Sequence, residues 1–184
     1  MYQMKFFGLG GQGVVTAAKT LSIAVSIYED RYAVTIPSYG HERRGAPVFT
    51  DMVVDDKPIL TNCFVYTPDV VVVLDDRIKE KGVDISAGVG ENTILLINTP
   101  SRERAAEYAK LYSFSKTYYV DATRKAIENA GTNIPNGAML GLVAKAGLVS
   151  ISSVEKAIID FFDEQRGSKN ADAARAAYET AQTV

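Results

Sequence analysis

Two kinds of apolar spacing alternate along this chain. Residues 70–74 (VVVVL) form an unbroken apolar run between Pro68-Asp69 and Asp75-Asp76. A run with no polar interruption has to be buried on both faces, as a strand inside a parallel sheet is. Residues 93–97 repeat the pattern, and 118–120 are a shorter version of it. Upstream, residues 3–8 read as a strand entering a glycine turn. Residues 33–36 read as a second strand stopped by Pro37, and 48–54 as a third, ending at the turn Asp55-Asp56-Lys57-Pro58.

Helical spacing fills the gaps. From 13 to 28 the apolar residues Val14, Val15, Ala18, Leu21, Ala24, Val25 and Tyr28 recur with a helical period. Residues 102–110 and 124–130 look helical too, and 136–146, 152–162 and 170–182 give the last third a helical character. Ser152-Ser153-Val154-Glu155 has the form of a capping box, in which hydroxyl and carboxylate satisfy each other's free amides. Strands alternating with helices predict an α/β fold: a mostly parallel, helix-covered Rossmann-like sheet with a helical C-terminal portion, in a single domain spanning 1–184.

Composition acts mainly by exclusion. The chain is 47% hydrophobic and 23% charged, with a net charge of -2 and no Lys/Arg tract, which predicts a soluble protein without a nucleic-acid partner. No stretch approaches the ~18 apolar residues of a membrane span. Residues 1–18 imitate a signal peptide, with one Lys, an uncharged run and Ala17-Ala18, but glycines break the apolar part. A cytoplasmic location is expected. Cys63 is the one cysteine and His41 the one histidine, so no intramolecular disulfide, cysteine-rich cluster or zinc site belongs to this chain. Cys63 reads as a small buried hydrophobe, and Tyr118-Tyr119 and Phe161-Phe162 as core packing.

Two segments carry candidate chemistry. Gly8-Leu9-Gly10-Gly11-Gln12-Gly13 matches G-x-G-x-x-G directly after a strand and opening a helix. There the backbone turns tightly, and the free amides of the helix face an anion. The same turn also serves simply to pack a first helix on a first strand, and both readings stand. A dinucleotide fold adds a carboxylate at the end of its second strand, about 20 residues on. Here that strand ends in Ile36-Pro37-Ser38-Tyr39, while Glu29 and Asp30 precede it and are expected at a helix end or turn.

The second segment is Ser38-Tyr39-Gly40-His41-Glu42-Arg43-Arg44-Gly45-Ala46-Pro47. Glu42 can pair with only one of the adjacent arginines. Their planar guanidinium groups suit phosphate or carboxylate recognition, or an interface. Ordinary surface arginines and a solvated His41 are the plainer alternative. If strands one and two are neighbours, this loop and the glycine turn share the carboxyl edge of the sheet, where open α/β folds bind ligands. The candidate edge is Gly10, Gly11, Gln12, Gly13, Tyr39, His41, Arg43 and Arg44. No catalytic acid/base pair and no metal-ligand set is expected.

GLGGQGVVTAA at 8–18, YGHERRGAPV at 39–48, DDKPI at 55–59, TPDVVVVLDD at 67–76 and NGAMLG at 136–141 follow one another over most of the chain. Together they resemble the γ subunits of pyruvate and other 2-oxoacid:ferredoxin (flavodoxin) oxidoreductases. The resemblance implies a complex that decarboxylates a 2-oxoacid oxidatively, forms an acyl-CoA and passes electrons to ferredoxin or flavodoxin. It implies that thiamine diphosphate with its Mg, and the iron–sulfur clusters, are held by α and β subunits and a ferredoxin-like δ subunit, or by a fused equivalent. This chain would hold none of them and be inactive alone, packing on the catalytic subunits and helping to accommodate coenzyme A (CoA). The CoA phosphates would meet the backbone amides of the glycine turn, with Arg43 or Arg44 as donors. RRGAP in place of RGG leans toward pyruvate. The rival readings are a purely structural assembly subunit with an empty turn, and a free-standing NAD(P)- or flavin-binding oxidoreductase.

Overall fold

The computed structural model describes residues 1–38 and 44–184. In chain order the elements are β1 (Tyr2–Leu9), α1 (Val14–Tyr28), β2 (Tyr32–Ser38), β3 (Pro47–Asp55), β4 (Val70–Val73), a 3-10 turn (Ile78–Lys81), β5 (Ile94–Asn98), α2 (Arg102–Leu111), β6 (Lys116–Val120), α3 (Ala122–Ala130), α4 (Asn136–Lys145), α5 (Ile151–Phe161), α6 (Glu164–Thr180) and β7 (Gln182–Thr183). Among the described residues the strands make one sheet in the order β2-β3-β1-β4-β5-β6-β7. Strands β1, β4, β5 and β6 run parallel. Strands β2, β3 and β7 pair antiparallel, so the sheet is mixed, and the helical C-terminal portion is present as expected.

The unbroken apolar run explains the centre. All four residues of β4 are buried, as are Leu95, Leu96 and Ile97 of β5, because helices cover both faces. On one face Met4, Phe6, Val72 and Leu96 join α1, α4, α5 and α6. On the other, Phe7, Val71, Val73, Leu95 and Ile97 pack with Ile78 and with Tyr108 of α2. Helix α4 is buried along Asn136 to Ala144, so it is apolar all round rather than on one stripe. It approaches α6 so closely that a Cβ on Gly141 would lie 1.9 Å from the Ala174 carbonyl oxygen.

Several expectations shift. Pro37 does not stop β2 but sits within it, opposite Thr50. Strand β2 is an edge strand, where a missing N–H is tolerated. Strands one and two are not neighbours, because β3 lies between them. Helix α5 starts earlier than the capping box suggests. Ser150 has the extended backbone a cap requires, and its Oγ accepts from the Ser153 amide at 3.1 Å. Glu155, freed from capping, accepts a fork from Arg175 of α6. Cys63 is exposed rather than buried, in a connection outside any strand or helix. Phe161 is 38% exposed because it ends α5 beyond the buried stripe of Val154, Ala157 and Ile158, whereas Tyr119 is core. Glu29 does end α1, as expected, and its carboxylate accepts from the Ser150 amide at 2.6 Å. Among the described residues no helix is long and apolar enough to cross a membrane.

Candidate functional site

The glycine turn leaves the carboxyl end of β1 and feeds α1, and its glycines divide by purpose. A Cβ on Gly8 would lie 2.6 Å from Val14 Cγ2 and 3.2 Å from Leu74 Cβ. A Cβ on Gly13, which has φ +74°, would lie 2.5 Å from Asn136 Nδ2 of α4. Both positions are glycine because neighbouring elements press against the turn. Gly11 is different. Its φ of +94° suits glycine, yet the nearest atom to an added Cβ is Arg44 Cγ at 3.8 Å, so its outer side is open.

Hydrogen bonds fix the turn from within. The Leu9 amide donates to Gln12 Oε1 at 2.8 Å, and the Gln12 amide donates to the Leu9 carbonyl at 3.0 Å. Gln12 Nε2 donates to Asp75 Oδ2 at 2.6 Å. Asp75 follows β4 and also accepts from Arg77, whose Nε and Nη2 fork onto it at 3.0 and 2.9 Å. Burial opposes ionisation of Asp75, but the hydrogen bonds from Arg77 and Gln12 outweigh it and hold this carboxyl below the usual range.

The arginine loop reaches the same edge by a route the sequence does not show. Strand β3 runs antiparallel to β1 and sets Pro47 opposite Leu9, so the chain just before Pro47 lies beside the turn. The Gly10 amide donates to the Ala46 carbonyl at 2.8 Å, and the Gly45 amide to the Gly10 carbonyl at 3.1 Å. The structure thus brings together Gly10, Gly11, Gln12, Gly13 and Arg44. Tyr39, His41 and Arg43 lie outside the described residues.

Two cavities flank the turn. One, of about 350 Å³, lies between Gly10, Gly11, Arg44 and the first turn of α1. Among the described residues no side chain caps α1, and its first turn carries no acid. The other, of about 400 Å³, lies over the carboxyl ends of β4, β5 and β6. Gln12, Arg44, Asp75, Asp76, Asn98 and Asp121 are part of its wall. Asn98 ties that wall together. Its Nδ2 donates to the Leu74 carbonyl and Thr123 Oγ1, and its Oδ1 accepts from the Ala122 amide.

Asp75, Arg77 and Asn98 escaped the sequence reading. The available signal was position, since polar residues directly after a buried parallel strand fall at the ligand edge. The fold also weakens the dinucleotide alternative. With β3 interposed, the end of β2 lies two strand spacings from β1, roughly 10 Å, instead of one.

The family model described as pyruvate ferredoxin/flavodoxin oxidoreductase matches residues 3–180. The pyruvate/ketoisovalerate oxidoreductases common subunit gamma of Pyrococcus abyssi is 48% identical over 184 residues, 99% of this chain and 98% of its own. Pyruvate synthase subunit PorC of Methanocaldococcus jannaschii is 41% identical over 179 residues, covering 97% and 96%. The crystal structure of pyruvate oxidoreductase subunit PORC from Thermotoga maritima superposes with a TM-score of 0.84 at 31% identity, over 99% of this chain and 97% of that one. On its sequence along nearly its whole length, and on its fold, the chain belongs to the pyruvate ferredoxin/flavodoxin oxidoreductase family.

Proposed function

We propose that this chain is the γ-type subunit of a 2-oxoacid:ferredoxin oxidoreductase complex, with pyruvate as the leading substrate and no catalytic group of its own. The observation that carries the reading is end-to-end similarity to relatives that are themselves named gamma or PorC subunits. A single cysteine falls short of the four thiolates of a cluster. By the same family resemblance, thiamine diphosphate, Mg and the iron–sulfur clusters would be held by α, β and ferredoxin-like δ partners or a fused equivalent, with ferredoxin or flavodoxin receiving the electrons.

Within that complex the carboxyl edge holds the phosphates of CoA, whose thiol accepts the acyl group. The open side of Gly11, the first amides of α1 and the Arg44 guanidinium suit a phosphate. The backbone amides orient it and Arg44 supplies charge. In the reconstituted complex Arg44→Ala should raise the CoA KM about tenfold, with kcat at saturating CoA nearly unchanged. If CoA KM and assembly both stay at wild-type values, the phosphate reading fails. The contacts at Gly8 and Gly13 favour a second reading, in which the turn only packs and the subunit is purely structural. Calorimetric titration of the complex with CoA separates the two, since the structural reading expects the same heat from wild type and Arg44→Ala.

A further inference from the structure

We infer that Gln12 is a positioning residue, which sets both the shape and the local charge of the glycine turn through Leu9 and Asp75. The inference rests on the reading of that turn as a phosphate-holding edge.

Shape comes first. Both backbone polar groups of Leu9 are bonded to Gln12, the amide to its side-chain oxygen and the carbonyl to its amide. The last residue of β1 is thereby locked to the residue three positions on. The side chain occupies the inside of the bend, and a Cβ on Gly8 would lie 3.1 Å from Gln12 Oε1. Gly8 thus makes room for this amide as well as for Val14. With the inside filled, the outer side at Gly11 is the one left open to a ligand.

Charge comes second. Asp75 is 5% exposed, and a bare carboxylate beneath the turn would repel a phosphate. Its two oxygens accept four hydrogen bonds. Oδ1 takes the backbone amide and Nε of Arg77, and Oδ2 takes Nη2 of Arg77 and Nε2 of Gln12. A carboxylate offers about four lone-pair sites, so this one is filled, and Arg77 balances its charge. Gln12 is needed for the fourth bond. The role demands an acceptor for Leu9 and a donor for Asp75 on one side chain, and glutamine carries both. Leucine would carry neither, and glutamate would set a second carboxylate against the first.

Two variants in the reconstituted complex test this. Gln12→Leu keeps the bulk and removes both bonds. The CoA KM should rise about tenfold, while kcat at saturating CoA and the 2-oxoacid KM hold. Gln12→Glu keeps the acceptor for Leu9 but faces Asp75. The charged groups around it are Asp75 and Arg77 after β4, Arg44 before β3, and Asp76 and Asp121 in the cavity wall. Two carboxylates at hydrogen-bond distance share a proton, so the CoA KM of this variant should be near wild type at low pH. It should climb above the wild-type value as the shared proton leaves. A CoA KM that follows wild type at every pH overturns the inference.

Amide hydrogen exchange at Leu9, read by NMR on the 184-residue chain, covers failure to assemble. Protection should be lost in Gln12→Leu and retained in Arg44→Ala, and retention in Gln12→Leu overturns the inference. If the CoA KM rises in Arg44→Ala but not in Gln12→Leu, the inference is overturned while the phosphate reading stands. If it rises in neither, the phosphate reading falls and takes the charge-setting role with it. Leu9 exchange then decides the shape-setting role alone.

Discussion

Asp75 and Asp51 are both carboxylates with almost no exposure, 5% and 2%, and they sit in opposite circumstances. Asp75 follows a strand of the parallel half and accepts four hydrogen bonds. Asp51 lies midway along β3, in the antiparallel wing formed by β2 and β3, directly opposite Lys5 of β1. Lys5 Nζ stands 3.4 Å from Asp51 Oδ1 and donates a hydrogen bond to the Val65 carbonyl at 3.0 Å. Asp51 Oδ1 has no hydrogen-bond partner among the described residues. Burial pushes the Asp51 carboxyl up, with Lys5 offsetting only part of it, whereas hydrogen bonds win at Asp75 and pull it down. Burial alone therefore does not set the sign, and the number and geometry of the donors do.

The largest effect should come from the core that supports the parallel half. Leu96→Ala, at a fully buried position, should cost about 3 kcal/mol in urea unfolding of the full chain. Ile36→Ala on the half-buried edge strand β2 should cost about 1 kcal/mol or less, and equal losses would erase the distinction between the two regions.

Asp75→Asn should come next, at about 1.5 kcal/mol near neutral pH. A carboxyl whose folded pKa is lowered stabilises above its unfolded value, near 3.9, and that contribution is lost as pH falls through the folded value. The difference between wild type and Asp75→Asn should therefore vanish in strong acid, and a constant difference would remove Asp75 from the account.

Asp51 has the opposite sign. Its raised folded pKa means a contribution present below the unfolded value and lost as pH rises through the folded one. The smallest change is expected for the double variant Lys5→Met with Asp51→Asn, within about 1 kcal/mol of wild type at neutral pH. A loss several times larger would show that the ion pair stabilises the wing after all.

The same division governs what the sequence disclosed. The parallel half was legible because residues 70–74 and 93–97 announce two-sided burial by composition alone. The wing was not. The placement of β3 between β1 and β2 is decided by long-range register, Leu9 against Pro47, for which no local spacing gives a sign. Arg44 was visible as a guanidinium in a loop, and the glycine turn as a turn. The work of Gln12 was not, because Asp75 lies 63 positions away. Helix α6 begins at Glu164, before the expected 170, because its first residues are polar and carry no apolar period. Its cap, Asp163 accepting from the Arg166 amide, was there to be read.

Cys63 lies in the connection from the carboxyl end of β3 to the amino end of β4, on the rim of the sheet away from the glycine turn. It is the one thiol in the sequence and it is exposed. In air, two isolated copies can be joined there by oxidation, so a crosslinked dimer in an unreduced preparation says nothing about quaternary structure. Kept reduced, the same sulfur accepts a single maleimide dye, whose emission can report docking of another subunit while the turn stays unmodified.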